Sequence, residues 1–209
     1  MTAPSVTAPA PPAPAAAVFD ANSYLDVVDA AHRAPAWLDS LIGAYSTHGP
    51  ALFAVLMLLA WQRARHQRPR QAVIALAAPL LTVPAFGVSS LLKPLLHESR
   101  PCQSIRVVTP EACPAPGDWS FPSNHAALAA AAAAAIWCVS VRLGAVAAIA
   151  ATAMGVSRVW VGAHYPHDIA VGLVLGALVA GTLAPLLSRH AEAAATRLSR
   201  TRLRPLVHA

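Results

Sequence analysis

The sequence predicts an all-α protein: a polytopic membrane helical bundle of about five transmembrane helices, preceded by an N-terminal interfacial helix. Three observations carry that expectation. Of its 209 residues 56% are hydrophobic and only 11% charged, whereas an ordinary soluble domain carries about 25% charged residues. Apolar runs near the roughly 20 residues needed to cross a bilayer follow one another along the chain. Finally, the formal charge of +6 resides in short arginine clusters between those runs. A nucleic-acid binder gathers its cations on one face, so the basic balance points to the bilayer as partner and not to nucleic acid.

Residues 1–19 are Ala/Pro low complexity with neither a basic start nor a continuous apolar core, and they read as a disordered tail, not a signal peptide. Between Asp20 and Asp39 apolar residues recur at helical spacing, but Asp26, Asp29, His32, Arg33 and Asp39 interrupt them. Such a segment lies along the interface. Crossings are expected at residues 41–61, 72–92, 124–141, 143–161 and 169–187. The bundle domain then occupies residues 20–190, and 191–209 form a basic cytoplasmic tail.

The positive-inside rule orients this arrangement. Arg63, Arg65, Arg68 and Arg70 follow the first crossing, Arg142 lies between the third and fourth, and Arg189, Arg197, Arg200, Arg202 and Arg204 close the chain. Those positions fall on one side, which becomes the cytoplasmic one. Lys93, Arg100, Ser123, His125, Arg158, His164 and Asp168 then all fall at the opposite, extracytoplasmic face. Scattered polar residues would have divided between the two faces. The abundance of Ala and Arg is a compositional hint, no more, of a GC-rich bacterial genome; the expectation is a multi-pass protein of the bacterial cell (inner) membrane with its site facing outward.

A cluster of this composition suits phosphoryl transfer from a lipid phosphate. Arginine forks and a lysine point charge hold and neutralise phosphate oxygens. Ser123, after Pro122 and before an alanine-rich helix, suits an N-cap whose helix offers free N–H groups to an anion. Two histidines can divide the work, one attacking phosphorus and one protonating the departing oxygen. Asp168 lies one helical turn beyond His164, where it can fix that ring's tautomer.

The stretches LKPLLHESRP (Lys93, Arg100), FPSNH (Ser123, His125) and SRVWVGAHYPHD (Arg158, His164, Asp168) resemble, in order, the three signatures of the type 2 phosphatidic acid phosphatase (PAP2) superfamily. Those signatures are Lys-x6-Arg-Pro, Pro-Ser-x-His and Ser-Arg-x5-His-x3-Asp. The resemblance covers roughly half the chain. It implies a metal-independent phosphatase without cofactor, with His164 as the nucleophile that becomes a phosphohistidine, Asp168 orienting it and His125 as general acid. Lys93, Arg100, Ser123, Asn124 and Arg158 would hold the phosphate. Within the family, FPSNH and the outward site look most similar to bacterial undecaprenyl (polyprenyl) diphosphate phosphatases, which serve cell-wall synthesis. Asn124 departs from the Gly that many members carry, but its backbone N–H can still face a phosphate.

Other readings of the same residues stay open at this point. Phosphatidate or phosphatidylglycerophosphate is the second choice of substrate. A vanadate-dependent haloperoxidase shares the anion-binding residues but not the apolar crossings, and an anionic-lipid transporter would also place cations within the membrane. His164 with His167 could be a metal pair, yet no third ligand accompanies them at sensible spacing. His48, His66, His97, His190 and His208 are structural in this reading, and Arg33 and Arg106 are headgroup anchors. Cys102 and Cys113 share the outward segment, where an oxidising exterior would let them pair; two free thiols are the alternative.

Overall fold

The computed structural model describes residues 15–105 and 107–208. The expected tail therefore lies outside the described residues up to residue 14, as does Arg106. Helices account for nearly all the regular structure: α1 (Ala15–Arg33), α2 (Ala36–His48), α3 (Pro50–Arg65), α4 (Pro69–Leu96), α5 (Pro101–Ser104), α6 (Asn124–Trp137), α7 (Val141–Trp160) and α8 (Pro166–Ser199). No strand occurs among the described residues. Helices α4, with its continuation to Ser104, α7 and α8 are long and apolar enough to cross a membrane, and α2 with α3 would make a fourth span, bent by 62°.

That bend replaces the single first crossing expected at residues 41–61. Its cause is the Gly49–Pro50 pair. Proline has no N–H for the preceding turn and clashes with it, so a helix restarts there with Pro50 in its first turn. A Cβ on Gly49 would also overlap Met154 of α7, so the chain bends where the two helices touch. The segment from Asp20 to Asp39 is divided as well, since α2 begins just after Pro35.

Helix α6 is the axle of the bundle. Its alanines from Ala126 to Ala135 are almost all buried, and α3, α4, α7 and α8 surround it. Fourteen residues span about 21 Å at 1.5 Å per residue, less than the roughly 30 Å of hydrocarbon. The third crossing is thus shorter than the expected 124–141: Cys138 ends α6, and Ser140 already caps α7 by accepting from Leu143 N at 3.4 Å. Small side chains let the axle pack closely. A Cβ on Gly172 of α8 would sit 2.7 Å from the Ser123 carbonyl oxygen, and one on Gly176 would overlap the Ala127 backbone.

Helix α1 rests on the site end of the bundle, with Tyr24, Val28 and Ala31 buried. The Tyr24 hydroxyl donates to the Gly162 carbonyl at 3.3 Å, and burial pushes its pKa up to about 12. At the other end α8 runs on to Ser199, past the expected start of the basic tail at residue 191, and the chain folds back. Val207 is buried against Ala64, Ala72 and Ala75, and Trp61 Nε1 donates to the Leu206 carbonyl at 2.8 Å.

Candidate active site

Four local devices bring the polar residues together. His97, in the left-handed conformation at φ 51°, ends α4 one turn beyond Lys93, and the chain turns through Arg100 into α5. Ser123 caps α6, its Oγ accepting from Ala126 N at 3.5 Å, which sets His125 in the first helical turn. Gly162, at φ 83°, turns the chain from α7 toward α8; a side chain there would meet Thr109 as well as backbone strain. Last, α8 opens on Pro166 with Asp168 at its third position, where Oδ2 accepts from the Tyr165 backbone N–H at 2.9 Å. A carboxylate at a helix N-terminus is stabilised by the helix dipole.

The result is a cleft of about 330 Å³ lined by Lys93, Arg100, Asn124, His125, Arg158 and His164, with Pro50, Phe86 and Leu128 on its apolar side. Both histidines face this one cavity. Ser123 and Asp168 stand behind its wall, fully buried.

The cations are held in place before any ligand arrives. Arg158, 6% exposed, donates through Nη1 to Ser46 Oγ at 2.7 Å and to Glu111 Oε2 at 2.8 Å, and through Nη2 to Glu111 Oε1 at 3.4 Å. Arg100, 7% exposed, donates to Asp118 Oδ1 at 3.0 Å, to the Asp118 carbonyl at 3.1 Å and to the Ala163 carbonyl at 2.9 Å. Lys93 Nζ donates to the Trp119 and Ser120 carbonyls at 2.6 and 3.0 Å. Fixed side chains lose little freedom on binding an anion.

His164 is the centre of the arrangement. Its Nδ1 faces Asp168 Oδ2 at 3.1 Å and Ser120 Oγ at 3.3 Å, and Arg100 Nη1 donates toward its Nε2 at 3.5 Å. A carboxylate on one side and a guanidinium on the other assign the ring proton to Nδ1 and the lone pair to Nε2. Burial lowers the pKa of this imidazole to about 4; the bond to Asp168 opposes the shift, and the charges of Arg100 and Arg158 add to it. The ring is therefore a neutral base at neutral pH, with its basic nitrogen beside a cation. His125 makes no side-chain hydrogen bond among the described residues and lines the same cleft, free to address a ligand there.

The profile of the PAP2 superfamily matches residues 72–191, a stretch that contains every one of these cleft cations and both histidines. The chain belongs to the PAP2 superfamily. As a PAP2 protein it is a member of a family of membrane lipid phosphatases. It is 28% identical over 144 residues to the undecaprenyl-diphosphatase BcrC of Bacillus subtilis, an alignment covering 68% of this chain and 71% of that one. It is 41% identical over 63 residues to the bacitracin transport permease protein BcrC of Bacillus licheniformis, covering 30% of this chain and 31% of the relative. Among solved structures, the PAP2-type phosphatidylglycerolphosphate phosphatase of B. subtilis superposes with a TM-score of 0.60 at 19% identity, over 90% of both chains. LpxE of Aquifex aeolicus superposes at 0.50 and 21% identity, over 79% of this chain and 93% of the other. These two likenesses are of fold.

Several residues of the PAP2 site have no signal in the sequence. Ser120 donates to Asp168 Oδ2 and approaches His164, yet it lies just outside the FPSNH stretch. Glu111 and Ser46 hold Arg158, and Asp118 holds Arg100; Glu111 and Asp118 come from a segment without periodicity or motif, and Ser46 from within an apolar run. Asn124 is tied to α4, its Oδ1 accepting from Ser89 Oγ at 2.6 Å and its Nδ2 donating to Ser90 Oγ at 3.2 Å. Cys102 and Cys113 are joined in a disulfide, with Cα atoms 5.8 Å apart.

Proposed function

We propose that this PAP2 protein hydrolyses the phosphate of a lipid, with a polyprenyl diphosphate as the favoured substrate, through a phosphohistidine on His164 and without a metal. The observation that carries this reading is His164 itself, its Nε2 lone pair opening onto a cleft of fixed cations while Asp168 holds Nδ1. In the first step Nε2 attacks phosphorus, and the bond to the leaving oxygen breaks as His125 gives that oxygen a proton. In the second, His125 takes a proton from water, whose oxygen displaces the imidazole and releases inorganic phosphate. Lys93, Arg100 and Arg158 hold the non-bridging oxygens, with the N–H groups of the first turn of α6, and neutralise the charge that develops on them.

Two further observations support a long apolar tail. The cleft shares Pro50 and Leu128 with an apolar groove of about 380 Å³ between α3 and α4, lined also by Phe53, Met57, Trp61, Leu76 and Pro79. The stretch of α3 from Pro50 to Trp61 is about 16 Å long at 1.5 Å per residue, room for the first part of an isoprenoid chain. The relative matched over most of its length is an undecaprenyl-diphosphatase. The arginine asymmetry supports a site on the outer face of the bacterial inner membrane.

Purified protein in detergent, given polyprenyl diphosphate, phosphatidate and phosphatidylglycerophosphate with EDTA present, is expected to release phosphate fastest from the diphosphate. His164→Ala should abolish release, and His125→Ala should lower it by roughly 10²- to 10⁴-fold. Activity lost in EDTA and restored by zinc would overturn the metal-free mechanism. Labelling of a cysteine introduced near Asp118 by an impermeant reagent in intact cells is expected if the site faces outward, and no labelling there would overturn that orientation.

A further inference from the structure

The densest polar cluster that this mechanism leaves unused lies behind the cleft, at the start of α8. His167 Nδ1 is 2.6 Å from Asp20 Oδ2 of α1. Its Nε2 is 2.8 Å from Glu98 Oε1 and 3.2 Å from Asp168 Oδ1. The His167 backbone N–H donates to Asp20 Oδ1 at 3.2 Å, so the Asp20 carboxylate grips both the ring and the helix start. Tyr165 stacks on the ring at 5.6 Å with planes 14° apart, and Phe121 of the FPSNH stretch lies 5.4 Å away. A side chain that only decorated a surface would not be fixed from α1, α8 and the two loops that carry Glu98 and Phe121.

The Asp168 carboxylate shows what this fixation achieves. Its Oδ2 accepts from Ser120 and the Tyr165 N–H and faces His164. Its Oδ1 is buried with no hydrogen-bond partner among the described residues, and the only ion-pair contact recorded for it is with His167. Rotation of the carboxylate about its own axis would carry Oδ2 away from His164; Ser120 and the Tyr165 N–H resist it at Oδ2, and His167 is placed to resist it at Oδ1.

We propose that His167, clamped by Asp20 and Glu98, is a positioning residue that holds the outer oxygen of Asp168 and so aims the inner one at His164. The arrangement follows the general pattern in which a carboxylate-bound histidine orients the group it contacts. It makes α1 part of the working enzyme through a single residue, Asp20, and not merely a helix packed against the bundle. The inference rests on the reading of His164 as the nucleophile.

The experiment uses the full-length protein in detergent with polyprenyl diphosphate and EDTA, and compares the parent with His167→Ala, His167→Gln, Asp20→Asn, Glu98→Gln and Asp20→Asn/His167→Ala. His167→Ala should lower kcat roughly 10- to 100-fold, the range usual for residues that orient a ligand, with KM within about twofold and the same thermal midpoint. Glutamine, which is neutral, should recover little of the loss, because Oδ1 meets His167 as an ion pair and not through a hydrogen bond. Because Asp20 acts through His167, the double variant should be no slower than His167→Ala alone. An unchanged kcat in a folded His167→Ala protein, or losses that simply add in the double variant, would overturn the proposal. So would parent activity that responds to zinc and ceases to respond in His167→Ala, since that would make Glu98, His167 and Asp168 a metal site. A parent that releases no phosphate removes the phosphatase reading as well, whereas an active parent that loses activity in His164→Ala but not in His167→Ala removes this inference alone.

Discussion

Both ends of the bundle carry cations, ten arginines at one and Lys93, Arg100 and Arg158 in the cleft at the other, yet they differ in what surrounds the charge. Helix α7 begins at the exposed Arg142 and ends with the buried Arg158, and α4 runs from the exposed Arg70 to the half-buried Lys93. In the cleft Arg158 and Arg100 are out of water and held by named partners, Glu111 and Ser46 for Arg158, Asp118 and Ala163 for Arg100, with only Arg158 Nε left unpartnered among the atoms of these two guanidinium groups. At the far end Arg63, Arg68, Arg142, Arg189, Arg197, Arg200, Arg202 and Arg204 are exposed. A desolvated cation is costly unless its partners are in place, so the cleft end keeps its charges only where the fold has built a mount for each. Counting charges does not separate a site from an anchor; burial with partners does.

The largest expected effect comes from removing one such mount. Arg158→Ala should lower kcat/KM by about 10²- to 10³-fold, the usual scale for losing one fixed donor to developing charge. It should also leave Glu111 unpaired and Ser46 buried without its donor. Arg158→Lys should recover little, because an ammonium cannot span both Glu111 oxygens and Ser46 as the fork does. Steady-state kinetics on folded variants check both. A loss below tenfold for the alanine variant would place Arg158 among the anchors and erase the contrast.

The same contrast governs pH. In the unfolded chain His164 titrates near the ordinary histidine value of about 6.5, whereas in the fold burial lowers it to about 4. The unfolded state thus binds the extra proton first. The stabilising contribution is complete above about 6.5 and is lost as the pH falls toward 4. On the proposed mechanism His164 should stay a neutral nucleophile over the same window, so the acid limb of kcat assigned to this group belongs near 4. A limb of that group at 6 to 7, read from the pH profile of kcat together with histidine NMR, would mean a hydrated ring and a cleft end no different from the far end.

How much of this was legible in the sequence follows from the same distinction. Lys93, Arg100, His125, Arg158, His164 and Asp168 were legible because each sits at a fixed interval within a motif and because apolar runs placed all of them at one face. Their mounts were not. Glu111 and Asp118 lie in an irregular segment whose path is set by tertiary contacts, and Ser46 belongs to the helix before the Gly49–Pro50 bend, which the continuous apolar run conceals. Asp20 carried no signal of its own: it only opened the segment expected to lie along the interface, and its contact with His167 depends on how α1 packs on the start of α8. The short α6 is a third case, since composition does not reveal that Ser140 starts the next helix three residues after Trp137.

The smallest expected effect is at the far end, and it is the one that makes the comparison quantitative. Arg142 is exposed in the first turn of α7, about 24 Å along the helix from Arg158 at 1.5 Å per residue. A cation there gains nothing from the helix dipole, whose N-terminus is positive, and a fully hydrated guanidinium has little to lose on removal. Arg142→Ala should therefore leave kcat/KM within about twofold and stability within about 0.5 kcal/mol, the usual range for surface changes. If the arginine asymmetry orients the chain, the arginines after α3 and α8 share that role with Arg142, so orientation should survive the single change. If Arg142→Ala instead cost activity on the scale of Arg158→Ala while the protein remained correctly inserted, the far-end charges would be acting over that distance on the cleft. Burial with partners would then no longer be what separates the two ends.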